Sequence, residues 1–118
     1  MVVGDRIRVC VCGQDEDLRA WIVEELRLMT WISDVELSSA ATLAEAPSQL
    51  ELLIVGSDGL TTADLDRIAL RRRSTPVIGV GSTHIAADRF FGPKLTSREL
   101  KQAIRELVFT RMAAASPP

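Results

Sequence analysis

A chain of 118 residues with 47% hydrophobic and 25% charged residues has room for one domain and the balance of a soluble globule, not of a disordered or fibrous chain. Its 14 basic and 16 acidic residues leave a net charge of -2 and are well mixed, so no cationic face is expected and nucleic acid is not an expected partner. No stretch approaches the roughly 20 apolar residues of a membrane span, and the first residues carry no apolar core of an export signal, so no membrane partner and a cytoplasmic location are expected.

Along the chain, continuously apolar runs alternate with runs of helical period, the pattern of parallel strands covered by helices. The first strand is predicted over 7–12, where Val9, Cys10, Val11 and Cys12 form an unbroken small-apolar run, and Gly13 ends it. Cys10 and Cys12, the two cysteines of the chain, are expected on opposite faces of this strand, unable to bridge and reduced as in a cytoplasmic protein. Asp15, Glu16 and Asp17 open a helix whose stripe is Leu18, Ile22, Leu26 and Met29, flanked by Trp21. A short strand follows at 35–39, then a short helix at 42–46 stopped by Pro47. The clearest buried strand is 50–55, broken by Gly56.

A helix from Thr61 to about Arg72 comes next, and Arg71, Arg72 and Arg73 at its end are expected to be solvated charges favoured by the helix dipole. The fourth strand is predicted at 76–80 and the fifth around Phe90 and Phe91. Thr96 and Glu99 form a capping box for a last helix carrying Leu100, Ala103, Ile104, Leu107 and Val108. Only nine residues, 81–89, separate Val80 from Phe90, whereas a helical crossover takes about a dozen, so the fourth helix is expected to be one turn or absent. The domain is placed at 1–112 and a flexible tail at 113–118, which is similar to the start of a linker.

The order and spacing of these segments resemble the receiver domains of bacterial response regulators over about residues 6–109. Arg-Val-Cys-Val-Cys is similar to that family's first strand, Leu-Glu-Leu-Leu-Ile-Val to its third and Pro-Val-Ile-Gly-Val to its fourth. Phe-Phe-Gly-Pro-Lys with the capped helix after it is similar to the fifth strand, its lysine and the final helix. The resemblance implies a flavodoxin-like, doubly wound α/β fold with a five-stranded parallel sheet, and a site at the carboxyl ends of the strands. Receivers use an acidic pair that holds Mg²⁺, a phosphoacceptor aspartate, a hydroxyl and a lysine there, because metal and lysine must neutralise the transferred phosphoryl oxygens. Carried over, the acidic pair falls on Gly13 and Gln14, the acceptor on Gly56, the hydroxyl on Gly81 with Ser82 beside it, and the lysine on Pro93 with Lys94 one residue late.

Near neighbours offer substitutes. Asp15 and Glu16 could serve as the acidic pair, although acidic residues in a first helical turn more often favour the dipole. Asp58 could accept phosphate, although Gly-Ser-Asp-Gly is first of all a turn. His84 and Lys94 read as surface residues. Cys12, followed by Gly13, is similar to the phosphocysteine of sugar phosphotransferase B subunits. Against that role stand the carboxylates of Asp15, Glu16 and Asp17 in the loop that should cradle phosphate, and Arg19 lies seven positions on, one too many for a Cys-x5-Arg phosphatase. A small buried hydrophobe is the better account of Cys12.

The resemblance therefore implies a pseudo-receiver: no enzyme, no metal and no cofactor, but a scaffold kept for phosphorylation-independent protein docking in bacterial signalling or cellular regulation. The expected partner is another protein, with a homodimer left open. In the family, partners contact the face of the fourth helix, fifth strand and fifth helix, which implies Ser82, Thr83, His84, Phe90, Phe91 and Lys94 here. A shortened fourth helix would expose Phe90 and Phe91; the alternative is that both belong to the core. The alternative is a phosphotransfer protein modified at Asp58 or Cys12.

Overall fold

The structure is a computed structural model of the chain, and it describes residues 7–28 and 35–109. Strand β1, Ile7–Cys12, lies inside the sheet, and five of its six residues are buried, which requires cover on both sides of the sheet. It pairs in parallel with β2, Val35–Ala40, and with β3, Leu52–Gly56. Strand β4, Val77–Val80, then joins β3, and β5, Arg89–Phe91, joins β4, so the order is β2-β1-β3-β4-β5, all parallel. This is the doubly wound α/β sheet expected from the sequence.

Two helices lie on one face. Helix α1, Glu16–Arg27, starts where the Asp15 carboxylate accepts the Leu18 N–H at 3.1 Å, and it buries Ile22 and Leu26. Helix α3, Ser97–Ile104, begins at the predicted Thr96–Glu99 capping box, buries Leu100, Ala103 and Ile104, and widens into a π turn, Arg105–Phe109. These residues close over Val9, Val11, Ile54, Ile78 and Val80. The opposite face is covered more thinly, by Ile68 of α2, Thr62–Arg71, and by Leu43 of a 3₁₀ turn, Leu43–Glu45, over Cys10, Leu53, Val55 and Val77. A second capping box, Thr61 with Asp64, fixes the start of α2.

Several expectations need correction. The segment predicted as a short helix at 42–46 is a single 3₁₀ turn, since Pro47 supplies no N–H to continue it. Strand β3 starts at Leu52, because Glu51 is taken up by Arg8: its N–H reaches the Arg8 carbonyl and its carboxylate accepts the Arg8 N–H and Nε. The arginines at the end of α2 are more than solvated charges. Arg71 donates to the carbonyls of Ala46 and Pro47, tying α2 to the segment after the 3₁₀ turn, and Arg72 pairs with Asp88 at 3.6 Å. Cys10 and Cys12 share one face, because side chains alternate with a period of two along a strand, and their sulfurs lie 3.7 Å apart. They still cannot bridge within a regular strand: their Cβ atoms are about 6.6 Å apart along it, well beyond the ~3.8 Å of a disulfide. Met29 and the tail at 113–118 lie outside the described residues.

No fourth crossover helix forms in residues 81–88. Its place is taken by Ile85, which is buried against the sheet over Gly79; a Cβ on Gly79 would stand 3.0 Å from both Ile85 and Phe90. The far end of the segment is fastened by Asp88, whose N–H reaches the Val77 carbonyl and whose carboxylate accepts the Val77 N–H at 2.7 Å.

Candidate functional site at the carboxyl ends of the strands

Because all five strands are parallel, their carboxyl ends gather on one edge of the sheet, where doubly wound folds place their ligands. Three of those ends are glycine, Gly13, Gly56 and Gly81. Gly13 follows β1, with φ +155, and a Cβ there would stand 3.3 Å from the Gly56 Cα. Gly81 follows β4, with φ +151, and a Cβ there would stand 2.3 Å from the Ser57 Oγ and 3.0 Å from an Asp58 carboxylate oxygen. Both φ values lie where L residues are strained. The ladder runs on through these ends: Gly13 N–H to the Ala40 carbonyl, Ser57 N–H to Val80 and Gly81 N–H to Phe91.

Asp15, Glu16 and Asp58, the candidate substitutes, each have a partner. Asp15 is the N-cap of α1, and Glu16 lies 3.9 Å from Arg19, whose guanidinium also donates to the Ser39 hydroxyl. Gln14 donates its side-chain amide to the Gly59 carbonyl at 3.4 Å. Asp58 is exposed, and its carboxylate accepts the N–H groups of Ser82 at 3.1 and 3.2 Å and of Thr83 at 3.0 Å. The Ser82 N–H, with Thr83 adding to it, holds the Asp58 carboxyl below the usual carboxylate range. Among the described residues no three His, Cys, Asp or Glu side chains come together to hold a metal ion. Mg²⁺ does not fit the receiver positions as this chain fills them: glycine and glutamine stand where oxygen anions are needed, and adding side chains at Gly13 or Gly81 meets neighbouring atoms.

Cys12 is 1% exposed, in the core beneath the 3₁₀ turn. The hydrogen bond with Cys10, together with burial, pushes its thiol well above the usual cysteine range, the opposite of what a nucleophilic thiolate needs. Pro93 and Lys94 are exposed in the connection from β5 to α3.

The residues assigned to a partner surface divide. Ser82, Thr83 and His84 are exposed, and the His84 ring lies 4.8 Å from Phe90, tilted by 55°. Phe90 and Phe91 are half-buried and, being adjacent on a strand, point to opposite faces, Phe90 beside Ile85 and Phe91 beside α3. The expected exposed aromatic pair is thereby split, and neither ring is fully open. Sequence reading missed Ser57, which is 1% exposed with an Oγ that meets no hydrogen-bonding group of the protein. The signal was available in Gly81, since a glycine opposite a serine marks close approach.

No sequence-family model matches this chain, and no curated protein matches it in sequence. Solved structures do match in fold. The signal receiver domain of an HD domain-containing protein from Pseudomonas fluorescens superposes with TM-score 0.69 at 15% identity, over 97% of this chain and 95% of that one. A CheY-like response regulator from Mesorhizobium loti gives 0.65 at 16% identity, over 85% and 97%. A response regulator receiver protein from Pseudoalteromonas atlantica gives 0.67 at 14% identity, over 88% and 98%. The chain therefore has the CheY-like receiver fold, and at these identities the likeness is one of fold.

Proposed function

We propose that this chain is a pseudo-receiver, a docking module that works in bacterial signalling or regulation without phosphorylation and without catalysis. One observation supports the reading: Gly13, Gln14 and Gly56 stand where a receiver needs its acidic pair and acceptor aspartate, and Gly81 stands at the hydroxyl position, where a Cβ would lie 2.3 Å from the Ser57 Oγ. The receiver's phosphoryl transfer needs an acceptor carboxylate and a cation to neutralise the transferred oxygens. The partner surface is proposed at Ser82, Thr83, His84 and Lys94, with the half-buried edges of Phe90 and Phe91, and the partner is another protein or a second copy of this chain. A cytoplasmic setting goes with the buried, unbridged thiols. Among the described residues no helix is long and apolar enough to cross a membrane.

The test is the intact mass of the protein after incubation with acetyl phosphate and Mg²⁺. The expected result is an unchanged mass. An acid-labile, base-labile adduct at Asp58, or a thiol-linked one at Cys12, would establish phosphotransfer instead and remove the docking reading's premise.

A further inference from the structure

Residues 81–88 take the place of a crossover helix, yet they are not held as a helix would be, by a ladder of their own hydrogen bonds. A connection of this kind is ordered only where outside groups hold it, because each residue otherwise keeps its conformational freedom. Two of those holds are already evident: Asp88 fastens the far end to Val77 and Arg72, and Ile85 fills the middle over Gly79. The near end carries Ser82 and Thr83, exposed residues whose successive N–H groups both turn to the same carboxylate, that of Asp58. Two backbone N–H groups converging on one charge are the arrangement by which proteins hold anions.

We propose that Asp58 is a built-in anion: its carboxylate occupies the Ser82 and Thr83 amides and so fixes the near end of the 81–88 segment in one conformation. Asp58 is a positioning residue in this account, not an acceptor. The sterics of Gly81 support the same assignment, because only a residue without a side chain lets Ser57 and Asp58 approach the start of the segment so closely. The shape of the surface bearing Ser82, Thr83 and His84 is then set by the chain itself, with no added group. The use of that shape for docking rests on the function proposed above; the fixation does not.

Amide hydrogen exchange, read residue by residue, tests it on the native chain and on Asp58→Asn and Asp58→Ala. Asp58 is exposed, so both variants should fold. In Asp58→Ala, exchange at Ser82 and Thr83 should quicken on the order of tenfold or more, the scale that loss of a charge-assisted hydrogen bond sets. Asp58→Asn, which keeps an acceptor oxygen but no charge, should fall between. The amides of Ser57 and Gly81, bonded to the Val80 and Phe91 carbonyls, should keep their protection in both. Unchanged exchange at Ser82 and Thr83 in Asp58→Ala would overturn the proposal. So would an Asp58→Asn variant that matches the native chain, since the charge would then have no role, and so would a loss of protection throughout the sheet. These readouts need no partner, so the anion's role and the docking reading can fail separately.

Discussion

Gly81 concentrates the local physics of the strand ends. Its φ of +151 and the 2.3 Å that would separate its Cβ from the Ser57 Oγ mean that even alanine must displace Ser57 and press on Asp58. Gly81→Ala is expected to cost roughly 1–3 kcal/mol, as overpacking and backbone strain do, read as a lower midpoint in urea unfolding with an unchanged slope. A variant as stable as the native chain would mean that the close approach is not a constraint. At the same scale, Cys10 and Cys12 show how one side chain's environment decides its chemistry. Two thiols in contact in an apolar layer hold the Cys12 proton rather than release it, and both sulfurs are buried under the 3₁₀ turn.

At the scale of elements, the two faces of the sheet are covered unequally. Helices α1 and α3 close one face, while the other has α2, a 3₁₀ turn and the Ile85 side chain. Ile85 thus does for β4 what a helix would otherwise do. Ile85→Ala should destabilise by about 2 kcal/mol, toward the lower end for a buried isoleucine because a loop can partly collapse into the gap. Thermal or urea unfolding measures it, and a cost near zero would show that the segment does not cover the sheet. The paired variant Gly79→Ala should destabilise too, since its Cβ would meet Ile85 and Phe90 at 3.0 Å. The helices themselves were legible because their signals are local: the Thr96–Glu99 box and the stripe through Ile22 and Leu26 lie within a turn or two of sequence. The absence of the fourth helix was legible from length alone.

For the whole molecule, two carboxylates, Asp58 and Glu106, tie separate parts together, and a third, Asp64, closes a local capping box. Asp58 is held below the usual carboxylate range first by the Ser82 N–H, Asp64 by the Thr61 N–H, and Glu106 by its hydrogen bond from Arg89 of β5. Groups whose folded values are lowered bind protons more readily when unfolded, so their stabilisation is present above the ordinary carboxylate value and is lost as pH falls through the folded one. Urea midpoints should therefore be flat above about pH 5 and fall below about pH 4. A midpoint that rose on acidification would contradict the assigned pairings.

What the sequence determined by itself is the scaffold and the identity of the residues at the receiver positions. Strand runs, helical stripes, caps and the order of elements act over a few residues, and the glycines and glutamine at the receiver positions are visible without any coordinates. Tertiary structure decided what depends on through-space neighbours distant in the chain. It placed Asp58 on amides 24 and 25 residues away and bound Arg71 to carbonyls at Ala46 and Pro47. The physical reason is that hydrogen-bond partners and burial are set by which segments the sheet brings side by side, and no local pattern encodes that pairing.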